Sequence, residues 1–146
     1  MIGTDGESGL AVTLIDAYRA THYCITGIYP AFLMCIDAYS ADPAACHRPH
    51  DAACATFVTA WNPRSRPIEP EHNAAAGERL EAQLRSTGHT CVKGLSVDPT
   101  GRWEGEESLL VLGLGHEQAV AIAREYEQNG LLWTGEDAVP RLLLLR

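Results

Sequence analysis

The hydrophobic pattern of this chain changes period several times, and each change marks an element. In "GLAVTLIDAYRATHY" (residues 9–23), Leu10, Leu14, Ala17 and Tyr18 recur at helical spacing, which predicts a helix over 10–22. "AFLMCIDAY" (31–39) reads as a buried strand. Asp42 followed by Pro43 suits an N-cap and first helical residue, so "DPAACH" reads as a short helical turn that Pro49 ends. "CATFVTAW" (54–61) alternates as a strand does. Pro70 then opens the best-marked helix, "EHNAAAGERLEAQLRSTG", with Ala75, Leu80 and Leu84 on one face and Gly88 as its stop.

The second half is read in the same way. "TCVKGLSVD" (90–98) is a strand, Pro99 and Gly101 supply a turn, and "SLLVLGL" (108–114) is a central strand. "HEQAVAIAREYEQN" (116–129) is an amphipathic helix with Ala119, Ile122, Ala123 and Tyr126 inward. "GLLWTG" (130–135) and "VPRLLLLR" (139–146) close the chain as strands. From 54 to 135 the order is β-α-β-β-α-β, that of a ferredoxin-like two-layer α+β sandwich with both helices on one face. The helix at 10–22 and the strands at 31–39 and 139–146 are additions to it. A doubly wound α/β sheet is the alternative, but the connection between 90–98 and 108–114 is too short for a helix. Residues 10–146 read as a single domain behind a flexible N-terminus at 1–9.

Composition narrows the class. The chain has 146 residues, 46% apolar and 21% charged, the balance of a soluble globular protein with a real core. No apolar run reaches the roughly 20 residues needed to cross a bilayer, and "MIGTDGESG" lacks the order of a signal peptide, so a cytoplasmic protein is expected. The net charge of −8 divides evenly along the chain and leaves no basic face for nucleic acid or membrane. Imitation of DNA by so acidic a chain is conceivable, but acidity more often serves solubility. Five cysteines at irregular spacing read as free thiols.

Chain direction gathers the candidate chemistry at one end of the sheet. A right-handed crossover makes strands 54–61 and 90–98 parallel and puts 108–114 between them, running back. "NPRSRPIEPEHN", "WEGEES" and "EQN" then converge. Asn62 and Arg64 are expected near Glu106 and Ser108, with Gln128 and Asn129 on the same rim. Candidate ligand-binding residues are Asn62, Arg64, Ser65, Asn73, Trp103, Glu106, Ser108 and Gln128.

These residues resemble an uncharacterised bacterial family known only as a domain of unknown function. Its pattern is "YR", "TAWNP-x-S", an Asn opening the next helix, "W…E-x-S" and "GQNA". Here they read Tyr18-Arg19, "TAWNPRS" (59–65), Asn73, "WEGEES" (103–108) and "EQNG" (127–130), from about residue 14 to the end. Glu127 stands where the family has Gly, and Gly130 where it has Ala. The resemblance implies a shared architecture and brings no activity.

Each candidate has a plainer reading. Asn62 and Ser65 suit a local turn as well as a ligand. Arg64 can clamp an anion, but a brace to Glu106 is the favoured reading. Asn73 suits the first helical turn, and Trp103 suits a lid on the core. Glu106 is the one plausible general acid or base. A Ser/His/Glu triad drawn from Ser65 or Ser108, His72 and Glu106 lacks a "GxSxG" elbow and is disfavoured. Cys46, His47, His50 and Cys54 are zinc-type ligands, yet their spacing matches no common site, so no metal is expected. "GLGHEQ" lacks the glycines and Lys-Ser/Thr of a phosphate loop, and no cofactor is expected. The favoured reading is a non-enzymatic module whose polar rim takes a small molecule or a protein partner. The alternative is a small hydrolase or transferase-like enzyme with Glu106 as acid/base and Arg64 holding an anionic substrate. By fold analogy alone, an exposed sheet edge would also suit a homodimer.

Overall fold

The computed structural model describes residues 12–28, 31–34, 36 and 54–145. The expected flexible N-terminus at 1–9, the short turn at 42–47, the end of the expected strand at 31–39 and three of the four zinc-type ligands lie outside these residues.

The described elements are α1 (Val12–Ala20), β1 (His22–Ile25), β2 (Phe32–Met34), β3 (Ala55–Val58), a 3-10 turn (Pro63–Ser65), α2 (Pro70–Ser86), β4 (Thr90–Val97), β5 (Glu106–Leu112), α3 (His116–Glu125), β6 (Gly130–Thr134) and β7 (Pro140–Leu144). The seven strands form one sheet in the order β2-β1-β4-β5-β3-β6-β7, every neighbour antiparallel. As direction required, β5 lies between β3 and β4, pairing Val58 with Leu109 and Gly94 with Ser108. Among the described residues no helix is long and apolar enough to cross a membrane.

Side-chain parity on β5 explains why its sequence is almost unbroken in hydrophobicity. Successive strand residues point to opposite faces, and both faces are covered. Leu109 and Val111 join Leu80 and Leu84 of α2, Ala119, Ile122 and Ala123 of α3, and Leu131 in one core cluster. Leu110 and Leu112 join Leu14 and Tyr18 of α1, Tyr23, Ile25, Phe57 and Leu132 in the other. The two-layer expectation therefore accounts for α2 and α3 alone. Because α1 packs with the opposite cluster, helices lie against both faces.

Several boundaries differ from the pattern. The first helix ends at Ala20, and His22–Ile25, expected in part as its last turn, form β1 between β2 and β4. On α2 the buried positions are Asn73, Ala76, Leu80 and Leu84, so Ala76 replaces Ala75 on the inner face. β5 starts at Glu106, two residues early, with the charged pair alternating: Glu106 buried and Glu107 exposed. Gly94 inside β4 has a packing reason, because a Cβ there would stand 2.8 Å from the Phe57 ring and 3.0 Å from the Cys24 carbonyl.

The two long helices end by the same device with different residues. After α2, Gly88 at φ 85° donates to Arg85 O (3.0 Å), and His89 donates to Leu84 O (3.2 Å). After α3, Glu127 at φ 55° donates to Arg124 O (3.0 Å), and Gln128 donates to Ala123 O (2.9 Å). Both are the paired bonds of a left-handed helix stop, where glycine is the usual residue. The stop at Glu127 is why α3 finishes at Glu125 and not at 129 as the apolar spacing predicted.

Candidate functional site

Three loops meet beyond the ends of β3, α3 and β5. The first is "WNPRS", which leaves β3 through three left-handed residues: Asn62 (φ 47°), Arg64 (φ 57°) and Ser65 (φ 60°). Asn adopts this conformation readily, whereas Arg and Ser there carry a backbone cost that surrounding bonds must offset. They do so here: Arg64 N donates to Glu127 O (2.7 Å), Ser65 N to Asn62 O (2.9 Å) and Arg66 N to Pro63 O (3.1 Å).

Asn62 is the hub. Its backbone N–H donates to Asn73 Oδ1 (2.8 Å), and its side-chain amide donates to Glu106 Oε2 (2.8 Å). Its Oδ1 accepts from Asn73 Nδ2 (2.8 Å) and from the Ile68 N–H (3.2 Å). All three side chains are buried, Glu106 completely. One residue thus ties the start of α2, the start of β5 and the loop between β3 and α2 together. Buried amides and carboxylates are stable only when bonded in this way.

Parity places Glu106 and Ser108 on the α1 face of the sheet. Ser108 Oγ donates to Glu106 O (3.0 Å) and shares a hydrogen bond with Ser96 Oγ (3.1 Å). Tyr18 of α1 lies beside this group. Burial drives its phenol pKa well above the ordinary value, the Ser65 side chain offsets part of that, and the nearby Glu106 adds to it. Tyr23 is pushed the same way, mainly by burial, and donates to Tyr18 O (2.6 Å). Both phenols stay protonated. Tyr18 and Tyr23 were absent from the candidate set; the available signals were Tyr18 four residues after Leu14 on the inner stripe of α1 and its place in the family's "YR" pair.

Ser65 Oγ accepts from Asn129 Nδ2 (2.9 Å), and Gln128 Nε2 donates to Trp61 O (3.0 Å) and Tyr126 O (3.3 Å). Asn129, expected on the same rim, is buried with Gln128 immediately before β6. Arg64 is a correction. Its left-handed backbone turns the side chain away from Glu106 and Ser108 toward the end of α3, where it pairs with Glu127 (3.1 Å). Both partners are about half exposed, at 53% and 52%.

The triad has no geometry behind it. His72 is exposed on α2, and the hydroxyls of Ser65 and Ser108 are engaged with Asn129 and with Ser96 and the Glu106 carbonyl. Among the described residues no group of three or more metal-ligating side chains comes together. Cys54, the one described member of the zinc-type stretch, donates its thiol to Leu114 O (3.2 Å).

A cavity of about 330 Å³ opens beside the hub. Trp61, Trp103, Pro67, Ile68 and Pro70 supply its apolar walls; Asn62 and Asn73 reach it from the network, and Arg102 and Glu104 stand beside Trp103. Trp103 is half-buried against it. Of the expected site residues, Asn62, Asn73 and Trp103 line this space; Arg64, Ser65, Glu106, Ser108 and Gln128 do not.

Comparison with protein families matches residues 58–131 to a family described as protein of unknown function (DUF3293), and the chain belongs to that family. The matched span runs from the end of β3 into β6 and contains the whole Asn62–Asn73–Glu106 network, but not Tyr18. No curated protein and no solved structure matches the chain.

Proposed function

We propose that this member of the family is a small non-enzymatic binding module, built on a ferredoxin-like core and holding its ligand in the cavity between Trp61 and Trp103. The strand order β4-β5-β3-β6, with α2 and α3 in one core cluster, supports the ferredoxin-like reading. A single seven-stranded sheet supports one domain, and the free thiols of Cys24, Cys54 and Cys91 support a reducing, cytoplasmic setting.

One observation carries the binding reading. The buried polar groups bond mainly to one another, while an apolar, tryptophan-walled space of ligand size stands directly beside them. A network of this kind makes a rigid back wall. The ligand then gains its affinity from aromatic area, with Arg102 and Glu104 setting its orientation. The enzymatic alternative has less support, because Glu106 does not line the cavity and Arg64 is paired with Glu127.

The test is a ligand-observed NMR screen of small planar and aliphatic fragments, repeated on Trp103→Ala. Hits that vanish in the variant, with its fold intact by circular dichroism, support the module. A screen without hits, or hits indifferent to Trp103, overturns it.

A further inference from the structure

A second cleft, separate from the tryptophan cavity, lies between the middle of α2 and the strands β3, β4 and β5. It encloses about 390 Å³. Val58, Leu80, Leu95 and Leu109 line it with hydrocarbon; Glu78 on the helix and Glu107 on the strand stand at its edge. Its existence follows from side-chain size. α2 presents Ala74 and Gly77 where it passes over β4 and β5, and neither fills the space between helix and sheet.

Gly77 is the informative residue. It sits inside a helix, where glycine costs about 1 kcal/mol relative to alanine. Nothing crowds it: an added Cβ would meet only the Trp61 Nε1 atom, at an ordinary 3.7 Å. Neither conformation nor contact demands glycine, so the sequence gives up stability at this position and keeps the cleft open.

Charge identifies the occupant. Of the three acids around the cleft, Glu81 is committed, paired with Lys93 (2.5 Å) and Arg85 (2.9 Å). Glu78 and Glu107 are exposed and enter no ion pair among the described residues. Lys93, the only lysine in the chain, is held by Glu81 and so does not neutralise them. We infer that this cleft is a ligand site for an aliphatic amine, its hydrocarbon chain against Val58, Leu80, Leu95 and Leu109 and its ammonium between Glu78 and Glu107.

Calorimetric titration with octylamine, and with octanoate as the chain of opposite charge, tests this on the whole protein. Octylamine should bind and octanoate should not. Gly77→Leu should abolish the heat of octylamine binding while the melting temperature holds or rises. Glu107→Gln, a surface change that leaves the fold alone, should weaken octylamine about tenfold through loss of a charged hydrogen bond. Silence toward octylamine overturns the assignment. So does equal binding of octanoate, undiminished binding by Gly77→Leu, or unchanged affinity in Glu107→Gln. The cleft shares no wall residue with the tryptophan cavity, and Glu107→Gln leaves that cavity untouched; Gly77→Leu reaches Trp61, so the octylamine, octanoate and Glu107→Gln results are the ones that separate the two sites.

Discussion

Asn62 and Arg64 are two residues apart, both in left-handed backbone, and they stabilise the molecule in opposite ways. Asn62 is buried, and its side chain is bonded to three other residues, two of them through buried side chains. Arg64 makes one ion pair whose two ends are each about half in water. Removing a buried partner leaves the groups it served without bonds, whereas removing an exposed charge returns its partner to solvent. Proximity in sequence says nothing about this difference; burial decides it.

The largest effect is expected at Asn62. Asn62→Ala removes the hydrogen bonds to Glu106 Oε2, Asn73 Nδ2 and the Ile68 N–H, and places alanine at φ 47°. A loss of about 3 kcal/mol or more is expected in urea unfolding. A loss below about 1 kcal/mol would mean that the network adds little and that burial does not separate Asn62 from Arg64.

A buried polar group without bonds offers a sharper control. Thr56 is fully buried in β3, and its hydroxyl has no hydrogen-bond partner among the described residues. Thr56→Val keeps the shape and removes the unbonded oxygen, so stability should rise by about 1 kcal/mol, read from the same unfolding curves. A fall would show that burial alone, without bonding, does not set the sign.

The smallest effect belongs to the exposed pair. Glu127 occupies the left-handed stop of α3, where Gly88 stands after α2. Glu127→Gly relieves about 1 kcal/mol of backbone cost and gives up a surface ion pair that contributes less than that. A net gain of about 0.5 kcal/mol, a rise of a few degrees at most in melting temperature, is the expected result. A clear loss would make the Arg64 pair worth more than its exposure allows.

Glu127 also shows what the sequence could and could not reveal. Its departure from glycine in the family pattern was legible, but the spacing of α3 ran on past it to residue 129. Apolar periodicity reports which side of a helix is dry and does not register the residue that ends it. The strands with hydrocarbon on both faces were the easiest to read, because β5 and β6 are apolar at consecutive positions. β1 was hidden for the opposite reason: "HYCI" is short and follows a helix without a breaking residue. At the site, chain direction and the order of pairing brought Asn62 and Glu106 together. Arg64 went elsewhere because its backbone conformation, which no residue type at that position announces, sets its direction. Tyr18 stood in the family's "YR" pair but was not named as a site residue, because its phenol comes into the field of Glu106 only once α1 has been laid on the far face of the sheet.

The position of β3 has a consequence for how the chain is made. Both of its neighbours, β5 and β6, come later in the sequence, and the more distant ends at Thr134. During translation, Ala55–Val58 leave the ribosome as a short apolar segment with neither hydrogen-bonding edge occupied. They stay so until some 50 to 80 further residues have followed. Pairing across such separations is slow compared with closure of the β4–β5 hairpin. The nascent chain therefore carries this apolar stretch uncovered for about a third to half of its synthesis, and it is over this interval that a chaperone would act.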